Sequence, residues 1–178
     1  MAKYTEMSDV SENKLSISSP IIREYNGGSR FQNHDTLFAR ITPCLENGKT
    51  GFVNYLNKGE IAFGSTEFIV MRPKKDISPF WIYCLAKDEN FRSYAISSMI
   101  GSSGRQRVHE SYLLLYKIPK VDFSKMIEYH ENVTPIFETI KVKNALTEKL
   151  TQLRSLLLSR LATLEEGKLT TRKNLECH

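Results

Sequence analysis

The sequence predicts an α+β fold: a mixed α/β domain followed by a long C-terminal helix of the coiled-coil type. Three observations carry this. Between Ile21 and Met71, short segments rich in β-branched and aromatic residues alternate with glycine-bearing turns. Apolar residues at helical spacing follow between Ser78 and Met99. From Ser124 to Glu166 the chain has no glycine, and Leu, Lys and Glu dominate.

Residues 1–30 are polar and turn-rich, and within them SPIIREY reads as a short strand. TLFARIT, near 36–42, is the clearest strand, and a second is placed near 51–56. Between them, Asn47-Gly48 predicts a hairpin tip with a type I′ turn, which needs positive φ at both central residues. EIAFGSTEFIVMRP reads as one further strand, ended by Pro73 and interrupted at Gly64 by a bulge or a close backbone approach. Helical periodicity then appears in Trp81, Ile82, Leu85 and Ala86, and again in Phe91, Tyr94 and Ala95. Ser78 can cap that helix, with Pro79 at its first position. Trp81 reads as core. GSSGRQRV is a loop, and SYLLLYKIPK a short helix or strand that returns to the core.

In the C-terminal segment, Leu146, Leu150, Leu153, Leu157, Leu161 and Leu164 recur at intervals of three and four, which makes one apolar stripe on a helix. Pro135 predicts a kink or a fresh start. The part from Thr134 to Glu166 would be roughly 50 Å long. A domain of this size covers only part of such a helix, so the stripe calls for a partner. Gly167 is expected to stop the helix. The expected organisation is therefore a domain over 1–123, a helix over 124–166 and a flexible tail over 167–178.

The 178 residues carry a formal net charge of +5 and a pI near 9.1, a mild bias compatible with a polyanion partner. Cys44, Cys84 and Cys177 are odd in number and far apart, so neither a disulfide framework nor a zinc ribbon is suggested. His34, His109, His130 and His178 form no metal-binding pair. The chain lacks a nucleotide P-loop, a dinucleotide fingerprint, a serine-nucleophile elbow and an adenine-methyltransferase motif. No catalytic residue, cofactor or metal is therefore expected. The opening MAKYTEMSDV has no apolar signal core, and no run of about 18 apolar residues occurs. The expected setting is the cytoplasm.

The stretch GSSGRQRV is where binding chemistry concentrates. Its glycines leave backbone N–H groups open to a phosphate, and Ser102 and Ser103 add hydroxyls. Arg105 and Arg107 suit phosphate or the O6/N7 edge of guanine, and Gln106 suits adenine. The plainer alternative is a surface loop whose arginines pair with Glu67 or Glu110. Lys49, at the expected hairpin tip, could touch phosphate or be a solvated turn lysine. Arg30, next to the Gly27-Gly28 turn, reads as a loop cation and a further candidate DNA contact. Arg40 and Glu67 each lie inside an apolar strand, and charges there are usually paired, so an Arg40–Glu67 ion pair is expected.

TLFARITPCLENGKT, EIAFGSTEFIVMRP and GSSGRQRV, in that order and at those separations, closely resemble the target-recognition domain of the specificity subunit of type I restriction–modification enzymes. LTQLRSLLLSRLATLEEGKL resembles the conserved helix that follows such a domain. The resemblance implies a non-catalytic subunit that binds half of a bipartite site in duplex DNA and docks methyltransferase and endonuclease subunits. Members usually carry two recognition domains and two helices, and each domain usually starts some tens of residues earlier. This chain reads as a half subunit lacking its N-terminal edge. Pairing of its helix with a second copy would restore the two-helix arrangement, so a homodimer is expected. The rival reading is a truncated remnant that keeps the helix as a protein-interaction module without DNA binding.

Overall fold

All four residues of strand β4 (Thr36–Ala39) are buried, because both faces of the strand are covered. The computed structural model describes residues 1–18, 20–120 and 122–175, with side chains described as far as Thr163. In it β4 lies between β5 (Thr50–Phe52) and β7 (Phe68–Met71), antiparallel to both. Side chains alternate across a strand. Leu37 and Phe68 thus enter one core with Val10, Ile17, Phe31, Val53 and Ala62. Phe38 and Ile69, one residue along each strand, enter another with Leu45, Phe91, Ala95 and Val108.

A second sheet closes the first core. It comprises β1 (Ala2–Thr5), β2 (Ile21–Arg23), β3 (Ser29–Phe31) and β6 (Ala62–Gly64), in the order β2-β1-β6-β3. The β1–β6 pair is parallel and the other two are antiparallel. Helices α1 (Pro79–Lys87) and α2 (Glu89–Ser97) and the short α3 (Glu110–Leu113) close the second core. A cluster of Phe52, Phe80, Tyr83 and Phe137 packs beside them, with Phe80 and Phe137 centroids 4.2 Å apart. Phe137 belongs to α4 (Phe123–Leu175), a helix that contains both Pro135 and Gly167. The chain divides into two compact units, Met1–Glu138 and Thr139–His178. The last three residues of the expected tail lie outside the described residues.

Several local expectations need correction. Asn47-Gly48 does not form a type I′ turn. Ten residues link β4 to β5, and they form a helical turn closed by Lys49 N–H donating to the Cys44 carbonyl (3.0 Å) and Gly48 N–H to that of Leu45 (2.9 Å). Only Gly48 takes positive φ (75°), which is the helix C-cap pattern named after Schellman. The stretch 60–73 is two strands in two different sheets, turned at Ser65–Glu67. Gly64 sits at the switch because a Cβ there would lie 2.7 Å from the Thr5 carbonyl oxygen. The helix expected from Ser78 to Met99 is broken at Asp88, whose carboxylate accepts from Phe91 N–H and caps α2. Ser78 precedes α1 but its hydroxyl meets His130 Nδ1 at 3.0 Å instead of capping. Trp81 is half-buried, and its neighbour Phe80 is the buried residue.

Asp35, just before β4, is only 1% exposed. Its carboxylate accepts from Gln32 N–H at 2.8 Å and from Nε and Nη2 of Arg72 at 2.8 and 2.6 Å. Arg72 follows β7, so this fork-shaped pair clips the β4–β7 edge where Thr36 faces Met71. Replacing Arg72 by Ala leaves a buried carboxylate short of two donors. Arg72→Ala is expected to cost ~1–3 kcal/mol in urea unfolding, with Arg72→Lys recovering part of it.

Burial pushes the Tyr55 phenol up to about 12, against a shared hydrogen bond with Thr5 (2.6 Å), and burial raises Tyr83 to about 12 as well. Unfolded tyrosine ionises near 10. The folded chain therefore retains protons that the unfolded chain has begun to lose. Their contribution to stability is complete below pH ~10 and is lost as the pH rises toward ~12. Urea midpoints measured on either side of pH ~10 should fall with rising pH, less steeply in Tyr55→Phe/Tyr83→Phe.

Candidate nucleic-acid interface

The loop GSSGRQRV is held at its base by a closed antiparallel pair: Ile100 and Arg107 each donate to the other's carbonyl at 2.9 Å. Gly101 (φ 136°) and Gly104 (φ 77°) carry the chain through backbone that other residues rarely adopt. Arg105 N–H donates to the Ser102 carbonyl at 3.0 Å. The returning limb is fastened to the residues after β4. Thr42 N–H donates to the Gln106 carbonyl and Gln106 N–H to Thr42 Oγ1, both at 3.1 Å, and Val108 N–H donates to the Arg40 carbonyl at 2.9 Å. Val108 is fully buried in the second core. The backbone is thus fixed at both ends, while Ser102, Ser103, Gly104 and Arg105 face solvent and Gln106 is half-buried.

The two arginines of the loop differ in charge state of their surroundings. Arg107 Nη2 lies 2.6 Å from Glu67 Oε1, and its Nε lies 3.0 Å from both carboxylate oxygens. The hydrogen bond to Glu67 raises the Arg107 pKa still further, so its charge is permanent. Arg105 forms no ion pair among the described residues, and its charge is open to a ligand. The expected Arg40–Glu67 ion pair does not form. Arg107 reaches Glu67 from across its bridge to Ile41 and takes the carboxylate, as the plainer reading of the loop allowed. Arg40 meets Glu67 through the backbone alone, N–H to carbonyl at 3.0 Å, and its Nε is buried without a partner.

Lys49 is not at an exposed tip. The helical turn before it draws the side chain inward, and Nζ donates to the Met7 carbonyl at 3.0 Å. Lys87 serves the same turn, donating to the carbonyls of Gly48 (3.2 Å) and Glu12 (2.6 Å); burial, then Arg92, holds its pKa below the usual lysine range. Arg30 lies on β3 instead of in a loop, exposed, with its guanidinium 4.5 Å over the Tyr25 ring. Tyr4 on β1, Arg23 on β2 and Tyr25 just after β2, in the same sheet as Arg30, escaped the sequence reading. Their stacking crosses strands, so no spacing along the chain announces it.

In the unit from Thr139 to His178, Leu146, Leu150, Leu153, Leu157 and Leu161 are each more than half exposed. The side chain of Leu164 lies outside the described residues. Among the described residues no group of three or more His, Cys, Asp or Glu is placed to hold a metal, and no helix is long and apolar enough to cross a membrane.

Comparison with known proteins adds the family. Residues 1–154 match the model of the type I restriction modification DNA specificity domain. The specificity subunits of the type I restriction enzymes EcoEI and EcoAI of Escherichia coli are 36% and 37% identical to the chain over 94 residues, 52% of the chain and 16% of either subunit. The fold resembles that of the HsdS subunit from Thermoanaerobacter tengcongensis, with a TM-score of 0.59 and 17% identity over 88% of this chain and 40% of that one. A chain from a structure of type I restriction–modification complex assembly gives the same TM-score and coverage at 19% identity. The chain thus spans well under half the length of these relatives, yet the family match covers most of it, both sheets and the GSSGRQRV loop included: it belongs to the type I restriction–modification DNA specificity family.

Proposed function

We propose that this chain recognises one half of a bipartite duplex DNA sequence, without catalysis of its own, and hands that DNA to methyltransferase and endonuclease subunits. The observation that supports it best is a fixed loop presenting unpaired hydrogen-bonding groups, on a chain of a DNA specificity family. Ser102, Ser103 and Arg105 meet phosphate, which positions the protein, while Gln106 and Arg107 address base edges. Glu67 occupies the Nε/Nη2 edge of Arg107, so its remaining Nη protons are the ones that address a base, and Thr42 fixes the backbone of Gln106. Lys49, bound to Met7, has no part in this interface.

In duplex titrations at two salt concentrations, Arg105→Ala should weaken binding equally on all sequences and make the salt slope shallower by about one unit. Gln106→Ala should instead narrow the gap between cognate and non-cognate duplexes by ~1–3 kcal/mol. Unchanged binding in both variants would remove the loop from the interface.

The exposed leucines support a second element of the reading, a homodimer through α4. Burying a leucine contributes ~1.5–3 kcal/mol, so leaving Leu146, Leu150, Leu153, Leu157 and Leu161 in water forgoes on the order of 10 kcal/mol. A second copy offers a matching stripe. Light scattering at tens of micromolar should give the dimer mass for the native chain and the monomer mass for Leu150→Asp/Leu157→Asp. A native monomer would refute the pairing.

A further inference from the structure

We propose that the outer face of the β2-β1-β6-β3 sheet is a second phosphate-binding surface, on which Arg23 and Arg30, each seated on a tyrosine ring, grip the backbone of duplex DNA. The inference rests on the DNA-binding reading and adds a contact surface to it.

The register places the residues. Ala2 pairs with Arg23, Tyr4 with Ile21 and with Phe63, and Phe63 with Arg30. Paired residues point to the same side of a sheet. Phe31 and Ala62 enter the first core, so Arg23, Tyr4, Phe63 and Arg30 share the opposite, outer face. There the side chains form one series. Arg23 sits 4.9 Å over the Tyr4 ring, Tyr4 lies 5.0 Å from Phe63, Phe63 lies 5.1 Å from Tyr25, and Arg30 sits 4.5 Å over Tyr25. Phe63 is 1% exposed although it points away from the core, because the two tyrosines cover it.

The rings of Tyr4 and Tyr25 contact Phe63 directly, while the two arginines contact those tyrosines. Neither arginine forms an ion pair with a carboxylate among the described residues, and the paired positions of this face carry two arginines and no acid. Each guanidinium is held over its ring, at 4.9 Å for Arg23 and 4.5 Å for Arg30. Its donor fork suits phosphate, and holding it in place in advance reduces the ordering lost on binding. Three strand steps of about 4.8 Å separate β2 from β3, and the register adds two residues, about 6.7 Å, along the strands, so the Cα atoms of Arg23 and Arg30 stand about 16 Å apart. The duplex major groove is about 12 Å across, within reach of two long side chains rooted at that separation, so the arginines can serve phosphates on its two sides. Cation–π stacking at exposed sites adds little stability, so the arrangement is better explained by what it offers a ligand than by what it does for the fold.

The test uses the full chain and two fluorescent duplexes of unrelated sequence, titrated over a range of salt. Arg23→Gln/Arg30→Gln keeps a polar stem over each ring and removes both charges. It should weaken binding equally on both duplexes and make the slope of log affinity against log salt shallower by about 0.9 for each arginine. Arg23→Lys/Arg30→Lys should restore the slope, which a loss of fold stability would not do. If the glutamine variant keeps the native slope while Arg105→Ala weakens binding, the sheet surface is refuted and the loop interface stands. A shallower slope in the glutamine variant with no effect of Arg105→Ala supports the sheet surface and discards the loop. Failure of the native chain to bind either duplex refutes both.

Discussion

Strand β4 is the constraint from which the rest of the globular unit follows. A strand buried on both faces needs apolar side chains in both directions and a layer on either side. Leu37 and Phe38, adjacent in sequence, therefore belong to different cores, and so do Phe68 and Ile69 across from them. The strand's polar ends need their own solution. Asp35 and Arg72 supply one at its start, and the backbone bonds of Arg40 and Thr42 to Glu67, Val108 and Gln106 supply the other. The two ends are thus chemically distinct. Only the second lies against the loop that carries candidate DNA contacts.

That arrangement links packing to recognition. The GSSGRQRV loop is fixed because its return limb plugs Val108 into the second core and borrows bonds from the chain leaving β4. Its orientation therefore derives from the same strand that organises the fold. Glu67 is set by the turn where the chain passes from one sheet to the other, and through it Arg107 is tied to both sheets. Charge that would otherwise sample many directions is held in one.

How much of this the sequence disclosed depends on the range of the interaction. TLFARIT, SPIIREY and the Pro79 helix start were legible because period and local chemistry specify them. The two helices within 79–97 merged into one in the reading, since Asp88 disturbs neither apolar stripe. Asn47-Gly48 was misread because positive φ at a glycine serves a helix C-cap as well as a hairpin, and the choice depends on ten residues of context. Strands β6 and β7 were read as one because a change of sheet leaves no mark on alternation beyond a single glycine. At the site, the loop was legible from composition. The partner of Glu67 was not, since Arg40 and Arg107 are both sequence-distant cations and only the fold decides which arrives. The tyrosine–arginine series on the outer sheet was invisible for the same reason.

The closed pair between Ile100 and Arg107 also has an evolutionary consequence. Everything that fastens the loop lies at its base and on its return limb, while Ser102, Ser103 and Arg105 contribute no side chain to the fold. Exchanges at such exposed positions usually alter stability by less than ~0.5 kcal/mol. The exposed side chains of the tip are therefore separable from the mount that holds them. A lineage can rewrite the chemistry displayed there while the mount, and the folding of everything beneath it, stays under separate selection.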